Sequence, residues 1–137
     1  MSTPHEPVVG PWIRKTRDTV RDAFTDGVTD SVREDKPGMA VFTVHYTYDP
    51  SPEQRAQREL YNPAHRGYLR ELMTDGIVLA AGRYANEERP GALLIFRGET
   101  ADDVAARLRI DPYIVHGLVT AADVREWTAA LGPWANG

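Results

Sequence analysis

From Met39 onward the hydrophobic period keeps switching between two residues and 3.6, and that alternation limits the fold more than any other feature. The stretch MAVFTVHYTY, Met39 to Tyr48, is rich in β-branched and aromatic residues. Ala40, Phe42, Val44, Tyr46 and Tyr48 form one apolar face, and Val41, Thr43, His45 and Thr47 a mixed one. DPSP then turns the chain. Ser51 with Gln54 makes a capping-box signature, and Pro52 suits a first helical position. In YNPAHRGYLRELMTDG, the residues Tyr61, His65, Tyr68, Leu69, Leu72 and Met73 fall on a single helical stripe. Pro63 lacks an N–H and clashes with the preceding turn. It predicts a kink or fresh start, with Asn62 as the new cap and His65 in the first turn of the new segment. Gly76 supplies a left-handed stop. IVLAAGRY and GALLIFRG are two strands joined by ANEERP as a hairpin. ETADDVAARLRI is a short helix capped by Thr100, with Asp103 three residues on; Pro112 ends it by pushing Asp111 out of helical geometry. ADVREWTAAL is the last strand candidate, although its alanines also suit a helix.

The resulting order is β-α-β-β-α-β, which predicts an α+β, ferredoxin-like fold. Two helices cover one face of a four-stranded antiparallel sheet. The other face carries Val41, Thr43 and His45 and is too apolar to leave wet. Pairing of two such faces predicts a homodimer. Ahead of this unit, residues 1–38 read as an arm and a helical extension. Pro4, Pro7 and Pro11 favour an irregular arm. Val20, Phe24, Val28 and Val32 then recur every four residues, a helix with a thin apolar edge weakened by Gly27. Such a helix needs a surface to lie on. The expected division is therefore 1–38 and 39–137.

Composition removes several functions. A net charge of −4 and the lack of a basic stripe disfavour nucleic acid as a partner. The chain has no cysteine, hence no disulfide, thiolate metal site or cysteine nucleophile, which fits a cytoplasmic protein. The start MSTPHEPVVG is not read as a secretory signal, and no apolar run is long enough to cross a bilayer, so no membrane role is expected.

His65 on the apolar stripe is either a core histidine with one satisfied hydrogen bond or a residue placed for chemistry. The sequence NPAHRGYLRELMTDGIVLAAG, followed by a hairpin, a helix and then DPYIVHGLV, resembles the YCII-related family. The resemblance runs from Met39 to about Leu131 and leaves out the N-terminal part. It implies a dimeric ferredoxin-like fold, the dimeric α+β barrel, related to muconolactone isomerase. It also implies a His–Asp pair in a cleft, with the histidine at His65 and the aspartate at Asp111. Where family members often carry Gly-Pro after the second strand, this chain has Gly82-Arg83-Tyr84. One activity in the family is dehydrochlorination of a chlorinated muconate-type acid, and other members are taken as non-catalytic.

Physically, a helix N-terminus disfavours imidazolium, whereas a carboxylate at one ring nitrogen stabilises it. Asp111 would hold His65 in that way, leaving the other nitrogen as a general base or acid, worth ~10²–10⁴-fold in rate. The helix end itself would receive a substrate carboxylate. The function expected is acid–base chemistry of the lyase or isomerase kind, without metal or organic cofactor, on a small organic acid. The alternative is a non-catalytic dimeric small-molecule-binding or accessory protein in which the pair is a structural hydrogen bond. His45, Arg83, Tyr68 and Tyr113 are candidate cleft-lining residues; each also has an ordinary reading, as a sheet-face histidine, a solvated arginine and two packing tyrosines. His116 reads as a surface-loop residue, and Trp127 and Trp134 as C-terminal docking residues.

Overall fold

In a computed structural model of the chain, the described residues are 13–15 and 39–135. The strand β2, Ala40–Thr47, is extended and alternating as its sequence requires: Phe42, Val44 and Tyr46 are buried while His45 and Thr47 are exposed. A helix, α1, follows over Pro52–Thr74, and then the strands β3, Val78–Arg83, and β4, Gly91–Gly98. Two further helices, α2 over Ala101–Leu108 and α3 over Pro112–Val115, precede the last strand, β5, Ala121–Trp127. The antiparallel sheet runs β5-β2-β4-β3, so β2 lies between β4 and β5, and the architecture is α+β and ferredoxin-like. The ambiguous last segment is a strand.

Three sequence expectations need correcting. First, the sheet has a fifth strand among the described residues. Ile13–Lys15, β1, pairs in parallel with β5, Ile13 opposite Ala122, where the end of an irregular arm and the start of a helix were expected. Three residues past Pro11 carry free N–H groups and can complete the edge of β5. The helix expected further along the N-terminal segment lies outside the described residues.

Second, α1 does not restart at Pro63. It is one helix of 23 residues with Pro63 inside it. The hydrogen bond lost at Pro63 leaves the Glu59 carbonyl without its helical partner, but Glu59 is exposed and water can serve it. Meanwhile His65, Leu69 and Leu72 are buried on the inner side of the following turns and hold the axis through the proline. The start of the helix is where the sequence places it: the Ser51 side chain accepts from the Gln54 N–H at 3.3 Å, and Pro52 opens the first turn. Gly76, at φ +77°, ends it.

Third, a short helix was missed. Asp111 does not merely end α2; its side chain caps α3, accepting from the Tyr113 N–H at 3.0 Å. Its extended ψ of 126° is what Pro112 imposes.

The core lies between the helices and one sheet face. It joins Phe42, Val44, Leu94 and Phe96 of the sheet to Leu69 and Leu72 of α1, Val104 and Leu108 of α2 and Ile114 of α3. Each large side chain buried this fully contributes about 1.5–3 kcal/mol. Gly91 is a point of close approach: a Cβ there would run into the Tyr46 carbonyl oxygen. Its neighbourhood fixes how β4 lies against β2, directly beside the site.

Candidate functional site

His65 projects from the middle of α1 and Asp111 from the turn before α3, helices that pack against each other. The His65 Nδ1 lies 2.8 Å from Asp111 Oδ1. Asp111 is fully buried, yet all its hydrogen-bonding needs are met from the protein. Oδ1 also accepts from the Tyr113 N–H, and Oδ2 accepts from the Tyr46 hydroxyl at 2.7 Å. Three donors converging on one carboxyl group stabilise its charged form against desolvation. A carboxylate so occupied has only acceptors to offer, so the His65 Nδ1 carries the proton and donates. In the neutral ring, Nε2 is then left with its lone pair free.

The ring is fixed as well as bonded. Tyr113 stacks on it, with centroids 3.8 Å apart and planes 2° from parallel. Tyr113 is in turn held at its hydroxyl, which accepts from Asn62 Nδ2 at 2.9 Å and donates to the Arg58 carbonyl at 3.1 Å. Tyr48 meets Tyr113 edge-on, and the Arg58 guanidinium lies 4.7 Å from the centre of the Tyr48 ring. Burial and the nearby Asp111 charge hold the Tyr46 hydroxyl well above the ordinary tyrosine range. Burial likewise raises the Tyr48 and Tyr113 hydroxyls. None of the three is set up to lose a proton, so Tyr46 and Tyr113 serve as neutral hydrogen-bond partners.

His65 lines a cleft of about 730 Å³ between α1 and the β3–β4 hairpin. Tyr48, Asn62, Arg83 and Tyr113 line it too. The histidine itself is only 7% exposed. The imidazole therefore forms part of the cleft wall, while the carboxylate behind it is sealed.

Two of the expected cleft-lining residues are elsewhere. His45 is on the opposite face of the sheet, since it alternates with the buried Val44 and Tyr46 and sits across from Leu93 and Asp123. Its Nδ1 lies 2.7 Å from the Tyr84 hydroxyl, and the two rings stack. Tyr68 is on the stripe but turns away from the cleft, and its hydroxyl donates to the Arg107 carbonyl at 2.8 Å. His65 does not open a helix as expected: it lies in the middle of α1, away from that helix's own N-terminal N–H groups. His45, His65 and Asp111 do not converge, and among the described residues no cluster of three His, Asp or Glu side chains could hold a metal ion. His116 is exposed and stacked on Tyr61 at 3.8 Å. Met73, placed on the buried stripe by spacing, is 47% exposed and lines the cleft.

Tyr46 is the residue that sequence reasoning overlooked. On the apolar face of β2 it looks like one more core aromatic. The one available signal was chemical: a buried tyrosine hydroxyl must find a partner, and Asp111, given only to His65, had an oxygen to spare.

A model of the YCII-related domain matches residues 40–128. No curated protein matches the chain. Among solved structures, the chain is similar to 5-chloro-2-hydroxyhydroquinone dehydrochlorinase from Burkholderia phenoliruptrix AC1100, in complex with 2,5-dihydroxybenzoquinone. The identity is 23%, the TM-score 0.54, and the match covers 64% of this chain and 93% of that one. The likeness is one of fold, and that enzyme is named for a chlorinated hydroquinone, not a muconate-type acid. Among the described residues no helix is long and apolar enough to cross a membrane.

Proposed function

This chain belongs to the YCII-related domain family, and on that premise we propose that it is a cytoplasmic enzyme of general acid–base chemistry on a small organic acid. The observation that carries the reading is the His65 Nδ1–Asp111 contact of 2.8 Å at the wall of a large cleft. His65 Nε2 takes a proton from a carbon of the bound molecule made acidic by a neighbouring carbonyl or carboxyl group. Asp111 holds the imidazolium that forms, and Tyr46 and the Tyr113 amide hold Asp111. Returning the proton to another carbon gives isomerisation. Loss of chloride as the proton is taken gives elimination, with HCl as the sum of what leaves. The similar solved structure, a dehydrochlorinase, supports the second outcome.

The working unit is a homodimer through the sheet face that no described helix covers, where the half-buried Leu93 and the exposed Trp127 lie beside the buried Val41 and Ile95. Residues 39–137 carry the chemistry and residues 1–38 form an extension. Light scattering checks the assembly: a monomer at micromolar concentration removes it.

The second reading, a binding protein with a structural pair, is favoured by the near-burial of His65. Chloride release from chlorinated hydroxyhydroquinones and chlorinated unsaturated acids separates the two. The enzyme reading expects release by the native chain and none by His65→Asn, with folding preserved. Release that survives in His65→Asn, or a variant that fails to fold while the native chain releases none, supports the structural pair.

A further inference from the structure

The cleft is basic on an acidic protein. Five arginines line it against two glutamates, while the whole chain carries a net charge of −4. The arginines divide into two groups, one on either side of His65.

Toward the start of α1 the charges are largely answered. Glu87 lies 2.6 Å from Arg55 and 3.9 Å from Arg83, so one carboxylate serves two guanidinium groups. Arg58 is buried, donates to the Asp49 carbonyl at 2.9 Å, and has the Asp49 carboxylate near enough to feel its charge. Glu59 lies on the same wall. A modest positive excess remains at this end.

Beyond His65 the balance is different. Arg66 and Arg70 line the cleft one helical turn apart and form no hydrogen bond or ion pair with a side chain among the described residues. The cleft wall also carries Leu69, Met73 and Ala81, none of them an anion. Like charges at this spacing repel and destabilise a helix by about 0.2–0.5 kcal/mol. The helix dipole does not explain them, since its effect is confined to the last turn and the last turn of α1 holds no basic residue. A low-dielectric wall with charge of one sign raises the local concentration of counter-ions. Arg58 and Arg66 are about 12 Å apart along the axis, with His65 between them in sequence.

We propose that the cleft binds a small organic acid with two anionic groups, one held by Arg66 and Arg70 and the other directed toward Arg58 and Arg83. The reacting carbon then lies between the two anchors, opposite His65. The inference rests on the small-acid reading above and narrows its substrate class to dianions.

Adipate and hexanoate test it, since both have six carbons and differ only in whether the far end is a carboxylate or a methyl group. Amide shifts of the cleft residues are followed by NMR in the full chain as each acid is added. The expected result is a Kd at least about tenfold lower for adipate, a preference that shrinks with added salt. Arg66→Gln/Arg70→Gln, both exposed positions, should bring the two acids within about threefold of each other. Equal binding of the two acids by the native chain, or a preference that survives in the double variant, overturns the two-acid inference and leaves the small-acid reading standing. If neither acid moves the cleft amides at millimolar concentration, both fall.

Discussion

Removing one oxygen from Tyr46 isolates the support behind the His65–Asp111 pair. Tyr46 is 1% exposed, and its hydroxyl donates to Asp111 Oδ2 at 2.7 Å. In Tyr46→Phe the ring still fills its place among Phe42, Val44 and Leu94, so no cavity opens. What disappears is one of three donors to a fully buried carboxyl group. Among the described residues Oδ2 has no other donor, so the loss is that of a hydrogen bond to a charged group, about 1.5–3 kcal/mol. For a domain of this size that corresponds to a fall in Tm on the order of 5–15 °C. Thermal denaturation followed by circular dichroism measures it. The same substitution repeated in an Asp111→Asn background should cost much less, because the charged acceptor is gone; the difference is the coupling between the two groups. A fall under about 2 °C in the native background, or an equal fall in both, refutes the claim that Tyr46 acts by holding Asp111.

Other consequences follow from the same structure. Pro63→Ala restores a missing bond inside α1 and should stabilise the chain by about 1–3 kcal/mol, read as a higher Tm; a loss of stability would mean that the helix is built around the proline. Gly91→Ala drives a methyl group into the Tyr46 carbonyl and should cost about 1–3 kcal/mol in chemical denaturation, with the amide shifts of β2 and β4 displaced; a silent substitution contradicts the close approach. Ser51→Ala removes the cap of α1 and should cost about 1 kcal/mol by the same assay, whereas an unchanged midpoint denies that cap a role. Burial raises the folded values of Tyr46, Tyr48 and Tyr113 above that of an unfolded tyrosine, so their contribution to stability is complete below about pH 10 and is lost above it. Absorbance at alkaline pH should therefore show these tyrosines ionising only as the chain unfolds; free titration near pH 10 in the folded chain would contradict their burial.

Local chemistry was the most legible part of this sequence. The alternation in β2, the caps at Ser51 and Thr100 and the stop at Gly76 are each decided within a few residues, and the structure has all four. Pro63 misled because the proline rule is local, while the helix is held by Leu69, Leu72 and His65 against a core that spacing alone does not reveal. His45 was a readable miss. The parity of β2 already placed it with Val41 and Thr43, away from the face the helices cover. Asp111 could be read as a residue before proline, but not as the cap of a four-residue helix, which is too short to leave a periodic pattern. Arg66 and Arg70 look like the solvated side of a helix until β3 and its hairpin stand opposite them and turn that side into a cleft wall.

The central claim is that His65 presents a free Nε2 to the cleft because Asp111 holds the proton on Nδ1. Long-range ¹⁵N–¹H correlation of the histidine side chains reads this directly in the neutral form of the ring. The account predicts a His65 protonated at Nδ1, with an Nε2 resonance that moves when an acid enters the cleft. A His65 protonated at Nε2, or an Nε2 signal indifferent to every ligand that shifts the cleft amides, would contradict it.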